Sequence, residues 1–347
     1  MWVKGQIAYS LNDASGGLSN VLTRAAQPHL FDRITWYKLL WTHNRLGARP
    51  IIARAWGEGA RSWLFLAQQN VHSATSLANY YTLAFRLVFT GNPDAVMRRA
   101  LMVAIARRLR RLPLRLARVT LTPVPTDDGS AAELAAAFRA AGWWVFQSFV
   151  TANWTVNVAG KSFDAYWSER PGALRSTLAR KLKKSLLTTE VHTRFDDALW
   201  EHYETIYAES WKPEEGSTAF LRALAEQEAE AGGLRFGLAW LDGVAVAAQL
   251  WTIEPGRAII HKLAYRASAA DHSPGTLLTA AMFQYVIDTD KVDVIDYGTG
   301  DDAYKADWMD TRSEMERIEC FNPRSLRGFA KGLKTWAVRL VRRIGGA

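Results

Sequence analysis

The stretch Ile259–Asp288, IIHKLAYRASAADHSPGTLLTAAMFQYVID, decides how the rest of the chain is read. Ala258–Tyr265 reads as a strand and Thr276–Asp288 as a helix, joined through Ser273-Pro274-Gly275. Proline just inside a helix start forfeits no hydrogen bond, because the first four N–H groups have no partner within the helix. Gly275 lets a ligand approach the backbone, and the N–H groups of Gly275, Thr276 and Leu277 stand at the positive end of the helix dipole. Such a start suits an anion such as a pyrophosphate. The same residues equally suit a plain capped helix, Ser273 being a good cap.

Working outward, Leu234–Leu241 and Val244–Ile253 form a hairpin across Asp242-Gly243, the strongest short turn signal in the chain. Val292–Tyr297 reads as a strand, Ala303–Met309 as a short helix and Met315–Phe321 as a final strand. Upstream, Phe163–Leu187 is one basic helix, Val191–Phe195 a short strand, and Asp197–Trp211 and Ser217–Ala231 are helices. The first half shows the same order. A helix at Phe31–His43 precedes the strands Pro50–Trp56 and Ser62–Gln69, joined through Gly57-Glu58-Gly59, and a further strand at Tyr80–Phe89. A helix from Asp94 to about Leu112 follows, then the strand Leu116–Pro123, the helix Ala131–Ala141 and a strand pair or long bent strand at Trp143–Val158. Strand and helix alternation, repeated, predicts an α/β (α+β, mixed-sheet) protein built as a tandem pair. The expected domains are residues 1–157, 158–322 and a separate C-terminal helix, 323–347.

Composition narrows the function classes. The 347 residues are 49% hydrophobic and 22% charged, an ordinary globular balance. No apolar run is long enough to span a bilayer. The N-terminus lacks a secretory pattern, and one cysteine, Cys320, allows no internal disulfide; a cytoplasmic protein, at most peripheral to the inner membrane face, is expected. The seven histidines form no metal-ligand spacing, so no metal is expected. The net charge is +9, but Arg324, Arg327, Lys331, Lys334, Arg339, Arg342 and Arg343 supply seven of those charges within the last 25 residues. The body is nearly neutral, which argues against a nucleic-acid surface. Fifteen tryptophans fit large cores and aromatic-lined grooves, or stacking platforms for bases or sugars.

Ile295–Met309, IDYGTGDDAYKADWM, holds Gly298, Gly300 and Ala303 in the GxGxxA spacing of dinucleotide folds. Asp301 and Asp302 would stand where phosphates need positive charge, and too little chain follows for a Rossmann domain. Ionisable groups at the C-terminal edge of a strand suit a catalytic loop instead, or a capped helix.

With Tyr80–Arg86 (YYTLAFR), Glu169–Thr177 (ERPGALRST), Ser210–Pro213 (SWKP), Lys262–Tyr265 (KLAY) and Ser273–Thr276 (SPGT), this stretch resembles a known family. The segments resemble GNAT-type acyltransferases of the BioF2-like, cellulose-biosynthesis CelD-like group, relatives of the FemAB aminoacyltransferases. The resemblance is best over Phe163–Asn322, the first half fitting as the degenerate partner of a tandem GNAT pair.

The resemblance implies transfer of an acetyl or other acyl group from acetyl-CoA or another acyl-CoA to an amine or hydroxyl. By element order it places the pantetheine arm along Lys262, Leu263, Ala264, Tyr265 and Arg266, and the pyrophosphate at Ser273, Gly275, Thr276 and Leu277. The loop departs from the family's usual Gln/Arg-x-x-Gly-x-Gly/Ala pattern. Such chemistry needs a base and an acid. Asp301 is the expected base with Asp296 second, Tyr304 the expected acid, Lys305 a neutralising or anion-binding group, and His261 lies beside the CoA arm. The expected acceptor is a small molecule or a polysaccharide-related one. The rival expectations are a FemAB-like aminoacyltransferase using aminoacyl-tRNA, and a non-catalytic accessory protein of exopolysaccharide or cellulose synthesis.

In the tail, apolar residues recur every three or four positions from Leu326 to Ile344, with basic residues over much of the rest. Two fates fit that helix: docking on the protein's own body, or attachment to an anionic membrane surface.

Overall fold

A computed structural model describes residues 2–12, 17–44, 46–112, 116–184 and 186–344. In chain order the first half contains β1 (Lys4–Ala8), α1 (Leu18–Val21), α2 (Ile34–His43), β2 (Arg49–Gly57), β3 (Ala60–Asn70), β4 (Ser73–Ser76), β5 (Val88–Thr90), α3 (Ala95–Arg110), β6 (Arg118–Pro125), α4 (Ser130–Ala140) and β7 (Trp144–Asn157). The second contains α5 (Phe163–Ser168), α6 (Gly172–Lys184), β8 (Leu187–His192), α7 (Asp197–Ala208), α8 (Thr218–Glu230), β9 (Leu234–Leu241), β10 (Val244–Glu254), β11 (Arg257–Tyr265), α9 (Pro274–Asp288), β12 (Val294–Thr299), α10 (Lys305–Trp308), β13 (Thr311–Phe321) and α11 (Leu326–Ile344).

Two compact units result, one of residues 1–151 with 313–347, the other of residues 152–312. In the first, the strand order is β1-β2-β3-β4-β6-β13, with β5 on β3 and the start of β7 beside β13. All its registered pairs are antiparallel except β4 with β6. In the second, the order is β8-β9-β10-β11-β12 with the end of β7 beside β12, antiparallel except for β11 with β12. Each parallel pair is closed by a crossover helix, α3 or α9, because parallel neighbours need a long connection.

The strand beside β6 comes from the chain's end, and the strand beside β12 from the end of the first half. Expectation placed Met315–Phe321 in the second domain and the tail helix in a segment of its own; both belong to the first unit. The register Met315↔Pro125 through Phe321↔Arg118 fixes that strand, a pairing across nearly two hundred residues that local patterns do not encode.

Two further expectations differ. The helix over Phe163–Leu187 is two, broken at Pro171, where the ring displaces the preceding residue from helical backbone; Ser185 lies outside the described residues. The strand over Tyr80–Phe89 is reduced to β5. Asn79 Oδ1 accepts from Tyr81 N at 3.0 Å and Thr82 Oγ1 from Asn79 N at 3.2 Å, so side chains hold this backbone in turns.

In the second unit the core gathers under α9. Phe283 meets Tyr166, Trp251 and Trp308 at ring separations of 5.0–5.5 Å. Phe283 is fully buried, so Phe283→Ala would cost about 3–5 kcal/mol.

Candidate active site

The parallel ladder between β11 and β12 has three registered pairs, Arg257↔Val294, Ala258↔Ile295 and Ile259↔Asp296. Beyond them β11 continues to Tyr265 with register only to β10, where Gln249, Ala248 and Ala247 face Leu263, Ala264 and Tyr265. The register shifts between Leu250 and Trp251, leaving His261 as the extra residue of a bulge, a device that bends a strand. The bend falls where the parallel ladder stops.

A 3₁₀ turn, Ala267–His272, leads from β11 to α9. Ser273 has a left-handed backbone (φ 54°), Pro274 occupies the first turn, and no side chain caps the helix start. The orphan N–H groups of this first turn are therefore not satisfied by a cap of the kind expected from Ser273. Gly275 has a reason other than ligand approach: a Cβ there would lie 3.0 Å from the Tyr265 ring, which itself stacks near Trp211 at 4.2 Å. The basic helix α6 reaches this turn, Lys181 Nζ donating to the Asp271 carbonyl at 2.6 Å.

The loop after β12 is built around two buried polar side chains. Asp296, buried, accepts from Gly298 N (2.9 Å), Asn153 Nδ2 (3.0 Å) and Arg257 (3.0 Å). Lys305, also buried, donates to the carbonyls of Gly298 (3.2 Å), Thr299 (2.8 Å) and Gly300 (3.4 Å). Burial holds the Lys305 ammonium below the ordinary lysine range, against the opposing pull of Asp302, Asp296 and Asp301. Gly298 and Gly300 both have positive φ, which lets the loop turn its carbonyls onto that ammonium. Arg170, buried, donates to the Trp308 carbonyl at 3.3 Å and pairs with Asp310 at 2.7 Å, tying down the far end of the loop.

Asp301, the expected base, is engaged otherwise. Arg312 donates to both of its oxygens (2.9 and 2.6 Å) and Trp154 Nε1 donates at 3.3 Å. The Arg312 hydrogen bond holds this carboxyl below the usual carboxylate range, the wrong direction for a base. Asp296, three-fold hydrogen-bonded, shapes the loop. His261, half-buried, lies beside Thr252 Oγ1 at 2.8 Å, and desolvation pushes its imidazole down to about 3. Tyr304 is 44% exposed, edge-on to the buried Tyr297 at 5.7 Å, and retains access to a bound molecule.

One cluster holds a residue foreseen as part of the site, Lys262, together with three that were not, Glu215, Tyr203 and Lys212. Glu215 and Lys262, 5% and 6% exposed, form an ion pair at 2.5 Å, and the Tyr203 hydroxyl donates to the other Glu215 oxygen at 2.8 Å. Lys212 senses the charges of Lys262, Glu215, Asp302 and Lys305; burial first, then Lys262, pushes its ammonium down to about 8. The Ser210–Pro213 segment that carries part of the family resemblance contains Lys212, so the signal was present in the sequence. What it lacked was a geometric link to Lys262.

Residues 172–306 match the family described as Acetyltransferase (GNAT) domain. No curated protein matches the sequence. Among solved structures, FemX is similar with a TM-score of 0.60 and 12% identity, over 91% of this chain and 98% of FemX. A tandem GNAT protein from the clavulanic acid biosynthesis pathway is similar with a TM-score of 0.51 and 16% identity, over 91% and 98%. L-PGS from Bacillus licheniformis is similar with a TM-score of 0.50 and 13% identity, over 81% and 86%. At such identities the likeness is one of fold. The chain therefore has a tandem GNAT-like fold, and residues 172–306 of its second unit match the GNAT acetyltransferase domain.

Proposed function

We propose that the second unit binds an acyl-CoA and transfers its acyl group to an amine or hydroxyl of a small-molecule or polysaccharide-related acceptor by direct attack. The observation that carries this reading is the end of the β11–β12 ladder at Ile259 and Asp296, with β11 running on toward an uncapped helix start. The backbone of Leu263–Tyr265 would hold the pantetheine arm. The first turn of α9, Ser273–Leu277, would hold the pyrophosphate, with the basic face of α6 beside it. The donor supplies an activated thioester when bound.

The chain's own residues then handle protons. Lys212, partly deprotonated near neutrality, takes the proton that the attacking amine or hydroxyl sheds. Tyr304 returns one to the departing sulfur. Lys305 and Asp296 keep the loop in shape, and Asp301 with Arg312 anchors its outer edge. The BioF2-like, CelD-like assignment belongs to this proposal, and with it a role in polysaccharide biosynthesis.

FemX, similar over nearly its whole length, favours one second reading, a FemAB-type transfer from aminoacyl-tRNA. Thermal unfolding with CoA, acetyl-CoA, longer acyl-CoAs, NAD and charged tRNA separates the two. A CoA ester at a hundred times its dissociation constant adds about 2.7 kcal/mol of stability. Stabilisation by CoA esters and not by NAD is the expected result. No CoA shift, together with salt-sensitive stabilisation by charged tRNA, transfers the assignment to the second reading.

A further inference from the structure

The C-terminal helix α11 is held against the first unit by the side that carries no hydrophobic residues. Gly328 and Gly332 are its buried positions within the helix. A Cβ on Gly332 would lie 2.6 Å from the Trp144 ring, and one on Gly328 would lie 2.2 Å from the Asn322 carbonyl oxygen. Arg339, on the same side, lies over Phe146 at 5.0 Å. These close approaches set the rotation of the helix about its own axis.

At 100° per residue, Leu326, Leu333, Trp336, Leu340 and Val341 lie off that seam, Trp336 by about 60° and the others by about 100° or more. They are 90%, 47%, 54%, 42% and 68% exposed. Phe329, touching Trp144 at 5.1 Å, marks the edge of the contact and is itself 45% exposed. A helix that served only to complete the fold would bury its apolar stripe, since that burial is what stabilises an amphipathic helix. Here the glycine seam prevents it. A contiguous apolar face left outward marks an interaction surface.

Charge selects the occupant. Between Pro323 and Ala347 the sequence has seven basic residues and no acidic one. Arg327 and Lys334 flank the apolar face along one edge, and Lys331 lies between that edge and the glycine seam. A second copy of the same helix would set these cations against their like, whereas a bilayer rich in anionic lipid offers both an apolar interior and the opposite charge. Nineteen residues give a rod about 28 Å long, which lies along a membrane surface. Among the described residues no helix is long and apolar enough to cross one. We propose that α11 seats this protein on an anionic lipid surface, its apolar face in the interface and its glycine face against the first unit. This proposal stands apart from the transferase reading.

Sedimentation of the full chain with vesicles tests it. The protein is expected to pellet with vesicles of phosphatidylcholine containing phosphatidylglycerol, weakly with phosphatidylcholine alone, and less as salt rises. Leu333→Glu with Trp336→Glu is expected to abolish pelleting, and Arg327→Gln or Lys334→Gln to weaken it about fivefold each. These side chains are exposed, so the unfolding midpoint should stay put. Equal pelleting with both vesicle types, or with neither, overturns the proposal. So does a concentration-dependent dimer, seen by light scattering, that the Leu333→Glu, Trp336→Glu pair abolishes, for it would assign the face to a second copy.

Discussion

Both units close a parallel strand pair over a crossover helix, and they finish it in opposite ways. In the first, β4 stops at Ser76, one residue past its last register with β6. Ser76 Oγ then accepts from Thr122 N at 2.8 Å, and the returning chain sends Phe85 N to the Pro123 carbonyl at 2.7 Å, with Leu83, Phe85 and Leu87 buried. The helix that follows, α3, begins at Asp94, whose carboxylate accepts from Met97 N at 2.8 Å. An anion is thus already built in. In the second, β11 runs six residues beyond the last parallel pair, and α9 begins without a side-chain cap. The first unit satisfies with its own chain the positions that, in the proposed function, the second gives to the acyl donor. That is a physical meaning for degeneracy in one half of a tandem pair.

The largest expected effect concerns buried charge. Glu215→Ala strands Lys262, a 6% exposed cation, and should cost about 3–5 kcal/mol in urea denaturation. In the first unit, Glu133→Ala breaks a more exposed pair, the 3.0 Å contact with Arg98 whose members are 39% and 35% exposed, and should cost under about 1 kcal/mol. Equal costs would erase the electrostatic difference between the units.

Next in size is the ligand response. Gly275→Val pushes against the Tyr265 ring at the start of α9 and is expected to remove the thermal shift given by acyl-CoA. Asp94→Ala removes the cap of α3, costs about 1 kcal/mol, and should leave that shift untouched. Loss of the shift in Asp94→Ala would place the donor in the first unit and reverse the comparison.

The contrast also explains what the sequence disclosed. Turn chemistry is local, so Asp242-Gly243 and Gly57-Glu58-Gly59 correctly announced two hairpins, and Pro274 announced the start of α9. The β13–β6 pairing is not local, and nothing in the Met315–Phe321 pattern names Arg118–Pro125 as partner. The loop residues were legible as chemistry but not as roles. Asp301 looked like a base until Arg312, eleven residues on, was seen to occupy it. Lys212 sat in a quoted segment, yet its importance comes from Lys262, fifty residues away on β11.

A smaller effect is expected in the rate. With Lys212 pushed down to about 8, kcat/KM should rise about tenfold per pH unit below that value and level off above it. Lys212→Gln should remove the rise, while Asp301→Asn should keep its shape, since Arg312 already engages both oxygens of that carboxylate. A profile that loses its slope in Asp301→Asn instead would restore that carboxylate as the base.

The last effect, at most about 1.4 kcal/mol over the first pH unit below 6.5, is on stability in mild acid, and its sign follows from His261. The folded imidazole titrates at about 3, below its ordinary 6.5, because burial disfavours the charged form and Lys262 adds to it. Between those values the unfolded chain binds the proton that the folded one refuses. The contribution of His261 is therefore fully present above 6.5 and shrinks as pH falls toward 3, by at most about 1.4 kcal/mol per pH unit. His261→Gln, which keeps a hydrogen-bonding group near Thr252, should flatten that part of the curve in urea midpoints taken on either side of 6.5. An unchanged slope would mean that the bend ending the parallel ladder is not held by a neutral histidine.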